Sequence, residues 1–456
     1  MNNALARPIR GILAALLAAG CARYEALPLT QPAVDRALTP PANALPPNVT
    51  GGLTPDAAAV LAVTINPALR VERDRRSLAE AQLLQAKLLP NPTLDFTYDP
   101  VTGGNTLGAV NAYSVGVSWE VTALITHDAK IAAAGAKSRS VVLDVAWQEW
   151  QFAQAAKKAV YDLLALQAQL DETALVDQQL ANAAILVRKA VDTHDKTLLD
   201  LSAAEAASQK AHSDFLGVRR DFRHQQLALN QALGLAPEAS VRLATNFPLP
   251  SVLHLPPAAQ MLNDVDRHRL DLLALRQGYE SQEQTLRAAV LAQFPKIVLG
   301  VHEASDNTGI QSTGFGVTVD LPIFDRNQAV IATEKSTRQQ LFDEYVSRVY
   351  EARSVIAQTL ADISALADQI AAARAAIPKL ERLVKAYEIS LGQHNVDVLS
   401  YYTAQSDLSQ QRLDLLKLQQ LMMDNQIALE IASGRTFPQP PATAPATGPS
   451  TLEARE

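Results

Sequence analysis

The sequence is poor in cysteine and aromatic residues and has no excess of positive charge. One cysteine among 456 residues leaves no Cys/His cluster with metal-ligand spacing. A formal net charge of −7, without any basic run, argues against a nucleic-acid surface. No glycine-rich phosphate loop and no serine-centred elbow is present, so the sequence disfavours an envelope enzyme and predicts neither a cofactor nor a bound metal.

The sequence also lacks any internal run of the roughly 20 apolar residues that a membrane helix requires. Such a chain crosses a bilayer only as a closed barrel, because unpaired backbone groups are costly in hydrocarbon. One short apolar run, 12–17, follows Arg7 and Arg10 and predicts a signal peptide over 1–20. Small residues before Cys21 resemble a bacterial lipoprotein signal, in which Cys21 becomes acylated. An ordinary cleaved signal is the alternative.

What is abundant is Ala, Leu and Gln, a composition that favours helices. Proline and polar residues dominate 21–54, which predicts an extended, lipid-anchored N-terminal arm. Residues 435–456 are typical of a disordered tail, and 236–257 are predicted to be a linker.

Between these segments the sequence is duplicated, with repeats at 55–235 and 258–434. Setting residue n against n+200 aligns identical residues and preserves the helix ends and the phase of the heptad seams. The aligned pairs are His194 with His394, Leu199 with Leu399, Ala204 with Ala404, and Gly234 with Gly434.

Each repeat has the same predicted plan: a helix that ends at proline, a β-hairpin, a long coiled-coil helix, a polar turn and a returning helix. The first helices are predicted at 55–89 and 264–293, the hairpins at 93–121 and 296–321, and the long helices at 125–190 and 326–391.

The second strand of each hairpin alternates between apolar and polar residues, so the sheet has one apolar and one wet face. In the first hairpin Tyr113, Val115, Val117 and Trp119 share the apolar face. Four strands cannot close, since the smallest membrane barrels have eight, and the hairpins have no evident partner within the chain. We therefore expect closure between copies, and a trimer with twelve strands is favoured. Tyr98, Tyr113 and Trp119 are either interfacial aromatics or ordinary sheet residues.

The segment Asp320-Leu321-Pro322-Ile323-Phe324-Asp325-Arg326-Asn327-Gln328 resembles the strand-to-helix segment of the TolC-like outer-membrane factors, and the resemblance covers about 55–434. The first repeat departs from the pattern at 120–122, where the proline is missing. The resemblance implies a mainly helical fold with a small β part. It further implies a trimeric outer-membrane β-barrel, four strands per chain, that continues into a long α-helical coiled-coil periplasmic tunnel.

The same resemblance implies a function and partners. The chain would be the passive outer-membrane channel of a tripartite efflux system, anchored in outer-membrane lipid and extending into the periplasm. Its partners would be a periplasmic adaptor (membrane fusion) protein and an inner-membrane pump of the RND type. The acidic balance favours small molecules or metal cations as cargo. The alternatives are a type I secretion duct for polypeptides and a soluble periplasmic coiled-coil adaptor or scaffold.

The resemblance also implies where the periplasmic gate and the docking tips lie. Family members carry an acidic gate residue about 34 residues before the glycine that ends the returning helix. This spacing leads to Asp200 in the first repeat and to Ser400 in the second, with Asp397 one turn earlier. The alternative for Asp200 and Asp397 is a helix cap. The tips that would dock the adaptor comprise His194, Leu198, Leu199, His394, Val398 and Leu399.

Overall fold

The computed structural model describes residues 24–39, 52–104, 107–244, 253, 255–392 and 398–437. Two compact units make up the chain, residues 1–44 and 45–456. Within the first unit, helix α1 spans Gln31–Leu38, inside the segment that the sequence predicted to be extended. Its proline lies in the first helical turn, where no amide hydrogen is needed.

The second unit contains one plan twice: opening helices, a β-hairpin, a long helix and a returning helix. The first set is α2 (Pro55–Ile65), α3 (Pro67–Lys87), β1 (Thr93–Asp99), β2 (Ala112–Glu120), α4 (Ala123–Asp192) and α5 (Leu198–Leu233). The second set is α6 (Ala258–Asn263), α7 (Val265–His268), α8 (Leu270–Leu291), β3 (Ile297–Ser305), β4 (Gln311–Val319), α9 (Gln328–Gly392) and α10 (Val398–Ser433).

The opening helix of each repeat is broken, where the sequence predicted one continuous helix. In the first repeat the break is at Asn66, whose extended conformation follows from the proline at 67. In the second repeat Arg269 is extended although no proline follows it. The guanidinium of Arg269 binds Asp271 at 2.6 Å and lies 5.0 Å from the ring centroid of Trp147, contacts that accompany the break.

In both repeats the returning helix ends beside this break, at a glycine with a left-handed backbone conformation. Gly234 (φ 75°) ends α5 against Asn66, and the side-chain Nδ2 of Asn66 donates to Ala232 O at 2.9 Å. Gly434 (φ 68°) ends α10 against Arg269, whose guanidinium donates to Ala432 O at 3.5 Å. The two glycines are 200 residues apart, and so are the two acceptors, Ala232 and Ala432. The duplication in the sequence is therefore also present in the structure.

The four strands form one antiparallel sheet in the order β1-β2-β3-β4. The expectation that the hairpins have no partner within the chain is wrong, because β2 pairs with β3 over Tyr113–Glu120. Sequence patterns indicate hairpins but carry no signal for pairing across 180 residues. β1 and β4 are the outer strands of this sheet.

The long helices α4 and α9 have 70 and 65 residues, and each packs along the returning helix of its own repeat. At about 1.5 Å per residue each extends roughly 100 Å. The predicted heptad seam of α9 is buried at Ile356, Ile363 and Ile370. α9 continues through Pro378. Among the described residues, no helix combines the length and the apolar character needed to cross a membrane.

Candidate channel site

One face of the sheet is apolar and lies open. Residues directly opposite each other on neighbouring strands point to the same face, so the register defines both faces. The apolar face is formed by Leu94, Phe96, Tyr98, Tyr113, Val115, Val117, Trp119, Ile297, Leu299, Val301, Phe315, Val317 and Val319. Phe315, on the outer strand β4, is 84% exposed. The polar residues Glu303, Ser305, Gln311 and Thr313 interrupt this face near the loop between β3 and β4.

The opposite face carries small and polar side chains. Its members are Thr93, Asp95, Thr97, Asp99, Ala112, Ser114, Gly116, Ser118, Glu120, Val298, Gly300, His302, Ala304, Ser312, Gly314, Gly316 and Thr318. The alternation predicted from β2 and β4 therefore extends across all four strands. A sheet of this kind separates an apolar from an aqueous phase.

Aromatic residues occur at both ends of the apolar face. At the end joined to the helices, Trp119 Nε1 donates to Pro90 O at 2.8 Å. At the loop end, the Tyr98 hydroxyl accepts from Asn111 Nδ2 at 2.6 Å, and Tyr113 lies opposite Tyr98. The polar atoms of Trp119 and Tyr98 are thus hydrogen-bonded at the two ends of the apolar face.

At the first helical tip Asp200 is a capping residue. Thr197 Oγ1 accepts from the Asp200 amide at 3.2 Å, while Asp200 Oδ2 accepts from the Thr197 amide at 2.9 Å and from its hydroxyl at 2.8 Å. This reciprocal pair is a capping box. The hydrogen bond from the Thr197 backbone, followed by that from its side chain, lowers the pKa of Asp200. The alternative that the sequence left open, a helix cap, is thus present.

The other predicted tip residues are placed as follows. His194 has a left-handed backbone (φ 66°) in the turn after α4. Leu198, Leu199 and Leu399 are exposed, with Leu199 at 79%. Val398 begins α10, and Ser400 is half-buried in its first turn. Cys21, His394 and Asp397 lie outside the described residues. No group of three or more His, Cys, Asp or Glu within the described part of the chain is placed to hold a metal ion.

Charged contacts join the two repeats along the helices, and the sequence did not predict them. Lys158 Nζ on α4 binds Asp162 at 3.1 Å and also Asp424 on α10. Burial alone lowers the pKa of Lys158, but its bonds to the two carboxylates outweigh that effect and raise it. Burial, reinforced by Asp162, raises the pKa of Asp424 in spite of Lys158. Only the i,i+4 spacing of Lys158 and Asp162 was visible in the sequence.

A second contact of this type lies nearer the tips. Arg412 on α10 binds Glu172 on α4 at 3.3 Å and Glu381 on α9 at 2.8 Å. The hydrogen bond with Glu381 raises the pKa of Arg412, and burial opposes it. Both contacts hold the second helical pair against the first.

Comparison with known proteins supports the assignment of the second repeat. Residues 261–435 match the model of the outer membrane efflux protein family. In sequence, the chain is 26% identical over 279 residues to the cation efflux system protein CusC of Escherichia coli strain K12, over 59% of this chain. The match spans 60% of the length of that relative.

Solved structures of outer-membrane channels have the same fold. A crystal structure of CusC superposes with a TM-score of 0.72 at 19% identity, covering 87% of this chain and 98% of CusC. The outer membrane protein VceC of Vibrio cholerae gives 0.71 at 17%, covering 84% and 97%. The CmeC outer membrane channel of Campylobacter jejuni gives 0.70 at 12%, covering 92% and 94%. The resemblance to TolC-like outer-membrane factors and the mainly helical fold with a four-stranded sheet are confirmed.

Proposed function

We propose that this chain is the outer-membrane channel of a tripartite efflux system, a passive duct rather than an enzyme. The observation that carries the proposal is the apolar face of the sheet, which extends across all four strands, is interrupted only near the loop between β3 and β4, and is backed by a small, polar face. A soluble adaptor or scaffold would leave this apolar face in water. In the outer membrane the face meets lipid and the polar face lines the lumen.

In lipid, the sheet requires strands from other subunits to pair with its edges. Its outer strands β1 and β4 have unpaired edges within the sheet, and each unpaired backbone group costs several kcal/mol in hydrocarbon. Three copies supply three times four strands, a twelve-stranded cylinder closed by β4 of one copy on β1 of the next. The subunit is therefore a homotrimer, with its helices extending from the barrel into the periplasm.

The helical tips and the N-terminal arm of the subunit contact different partners. The exposed leucines Leu198, Leu199 and Leu399 form the docking surface for the periplasmic adaptor, and an RND-type inner-membrane pump drives transport. Asp200 places a carboxylate at each first tip, which favours cations at the gate. At the other end, acylated Cys21 anchors the chain in outer-membrane lipid. Metal cations or small molecules are the cargo, and the relative CusC is a cation efflux system protein.

The face assignment is tested by two neighbouring lysine substitutions on β2. Val117→Lys places a charge on the apolar face, at a cost of about 2–4 kcal/mol in mid-bilayer, whereas Ser118→Lys places it in the lumen. We expect trimers in the outer-membrane fraction and channels in planar bilayers for wild type and Ser118→Lys, and their loss for Val117→Lys. A monomeric wild-type protein in the soluble periplasm, or equal behaviour of the two variants, would refute the proposal.

The cargo is tested in a strain that lacks this chain. Loss of tolerance to transition-metal salts or to hydrophobic drugs, restored by wild type but not by Val117→Lys, identifies the efflux class. Unchanged tolerance to both, together with loss of a secreted polypeptide, would instead establish the type I secretion duct.

A further inference from the structure

His302 occupies an unusual position on the polar face of the sheet. Its direct neighbours across the strands are Gly116 on β2 and Gly314 on β4. A Cβ at Gly314 would lie 2.9 Å from His302 Cε1 and 3.0 Å from Nε2, so the imidazole lies against the bare backbone of β4. Gly300 and Gly316 form the next row towards the helices. In these two rows, the imidazole is therefore the only side chain on β3 and β4.

The charged groups that face His302 are all acidic. Asp95 lies in the same row, on the far side of Gly116, two strands or about 10 Å away. Asp99 and Glu120 lie on the same face in other rows of β1 and β2. On β4 this face offers no charged residue, and Glu303 points to the opposite face. Within the four strands, this face has no Lys or Arg, so His302 is its single basic side chain.

We propose that His302 sets the ion selectivity of the barrel lumen and makes it depend on pH. This inference rests on the proposed function, which places the polar face inside a trimeric barrel. Histidine gains its charge between about pH 8 and pH 5. Each subunit contributes three lumenal carboxylates and one imidazole, so three protonated imidazoles offset one third of the lumen's negative charge.

The size of the effect follows from distance and salt. An added unit charge about 10 Å from a passing ion changes that ion's local concentration about twofold in water, and cations and anions respond in opposite directions. The ratio of cation to anion permeability should therefore fall about two- to fourfold on acidification. Screening cuts this effect at high salt, since the Debye length is about 10 Å at 0.1 M and about 30 Å at 0.01 M.

The experiment measures reversal potentials of the full-length trimer in planar bilayers, across a KCl gradient from about 0.01 to 0.1 M. The pH range runs from about 8 to about 5.5, above the range in which carboxylates ordinarily gain protons. Wild type should lose cation selectivity as the pH falls. His302→Gln should keep the high-pH selectivity throughout, and His302→Lys should show the low-pH selectivity at every pH. His224→Gln, on α5, is the matched control and should behave as wild type.

Two results would overturn the inference: a pH-independent wild type, or a His302→Gln channel with the full wild-type pH shift. Native gels establish that each variant is trimeric, and the lysine variant shifts selectivity in a direction that misfolding would not produce. Failure of the proposed function looks different, because then no variant forms channels.

Discussion

A glycine-to-alanine change should have opposite effects at two positions of the same returning helix. Gly234 ends α5 with φ 75°, and an added Cβ would lie 2.6 Å from Asn66 Cα and 2.8 Å from Pro67 Cδ. A non-glycine residue in this region costs about 1–3 kcal/mol, and forcing a methyl group into a packed junction costs about 1–3 kcal/mol more. Gly234→Ala should therefore destabilise the protein by about 2–6 kcal/mol.

Gly217, in the interior of α5, is the matched control. An added Cβ there would meet nothing within 4 Å, so Gly217→Ala should stabilise the helix by about 0.5–1 kcal/mol. The assay is thermal unfolding of the detergent-solubilised protein by far-ultraviolet circular dichroism, at equal protomer concentration because assembly contributes to stability. If Gly234→Ala melts at or above the wild-type temperature, the close contact of the two helix ends is not part of the folded protein.

Three further changes test the contacts along the helices. Asp200→Asn keeps an oxygen that can accept the bonds from Thr197 but removes the charge, so the melting temperature should fall only slightly while reversal potentials shift towards anions. Equal reversal potentials would contradict a gate role. Because hydrogen bonds from Thr197 lower the pKa of Asp200, its capping contribution is complete above about pH 4 and is lost as the pH falls through the lowered pKa. Hydrogen exchange at the start of α5 should accelerate only in that acidic range, and acceleration near neutral pH would count against the cap. Lys158→Met leaves the part-buried Asp424 without its cation. It should therefore lower the melting temperature more than Lys210→Met, which removes an exposed ion pair on α5. Equal shifts would show that the contact between the repeats contributes little to stability.

Much of the fold was predictable because the relevant signals are local. The alternation of β2 and the heptad seam of α9 each follow from residues close in sequence, and both are present in the structure. β4 begins at Gln311, three residues before its alternation of apolar and polar residues becomes visible at Gly314. Glycine, serine and threonine dominate 311–316, so the side-chain pattern carries no boundary there, and pairing with β3 sets the strand end instead.

The features that sequence reasoning missed depend on contacts between distant residues. Pairing of β2 with β3 joins the two repeats, and no local pattern specifies it. The break at Asn66 had a signal in the proline that follows. Arg269 is followed by no proline, and its distant partner Trp147 approaches it only in the folded chain. Asp200 was predicted as a gate residue or a cap; the cap is observed, and the gate role remains a prediction.

The two repeats share one plan but have divided the chemistry of the polar face between them. The carboxylates Asp95, Asp99 and Glu120 all lie on β1 and β2, whereas β3 and β4 carry glycines and His302. His302 is two strands away from β1 of its own chain. If β4 closes on β1 of the next subunit, His302 is also two strands away from that acidic strand, whatever the register. Every imidazole then lies between two acidic sectors, one from each subunit, so protonation of three histidines affects the whole circumference of the lumen.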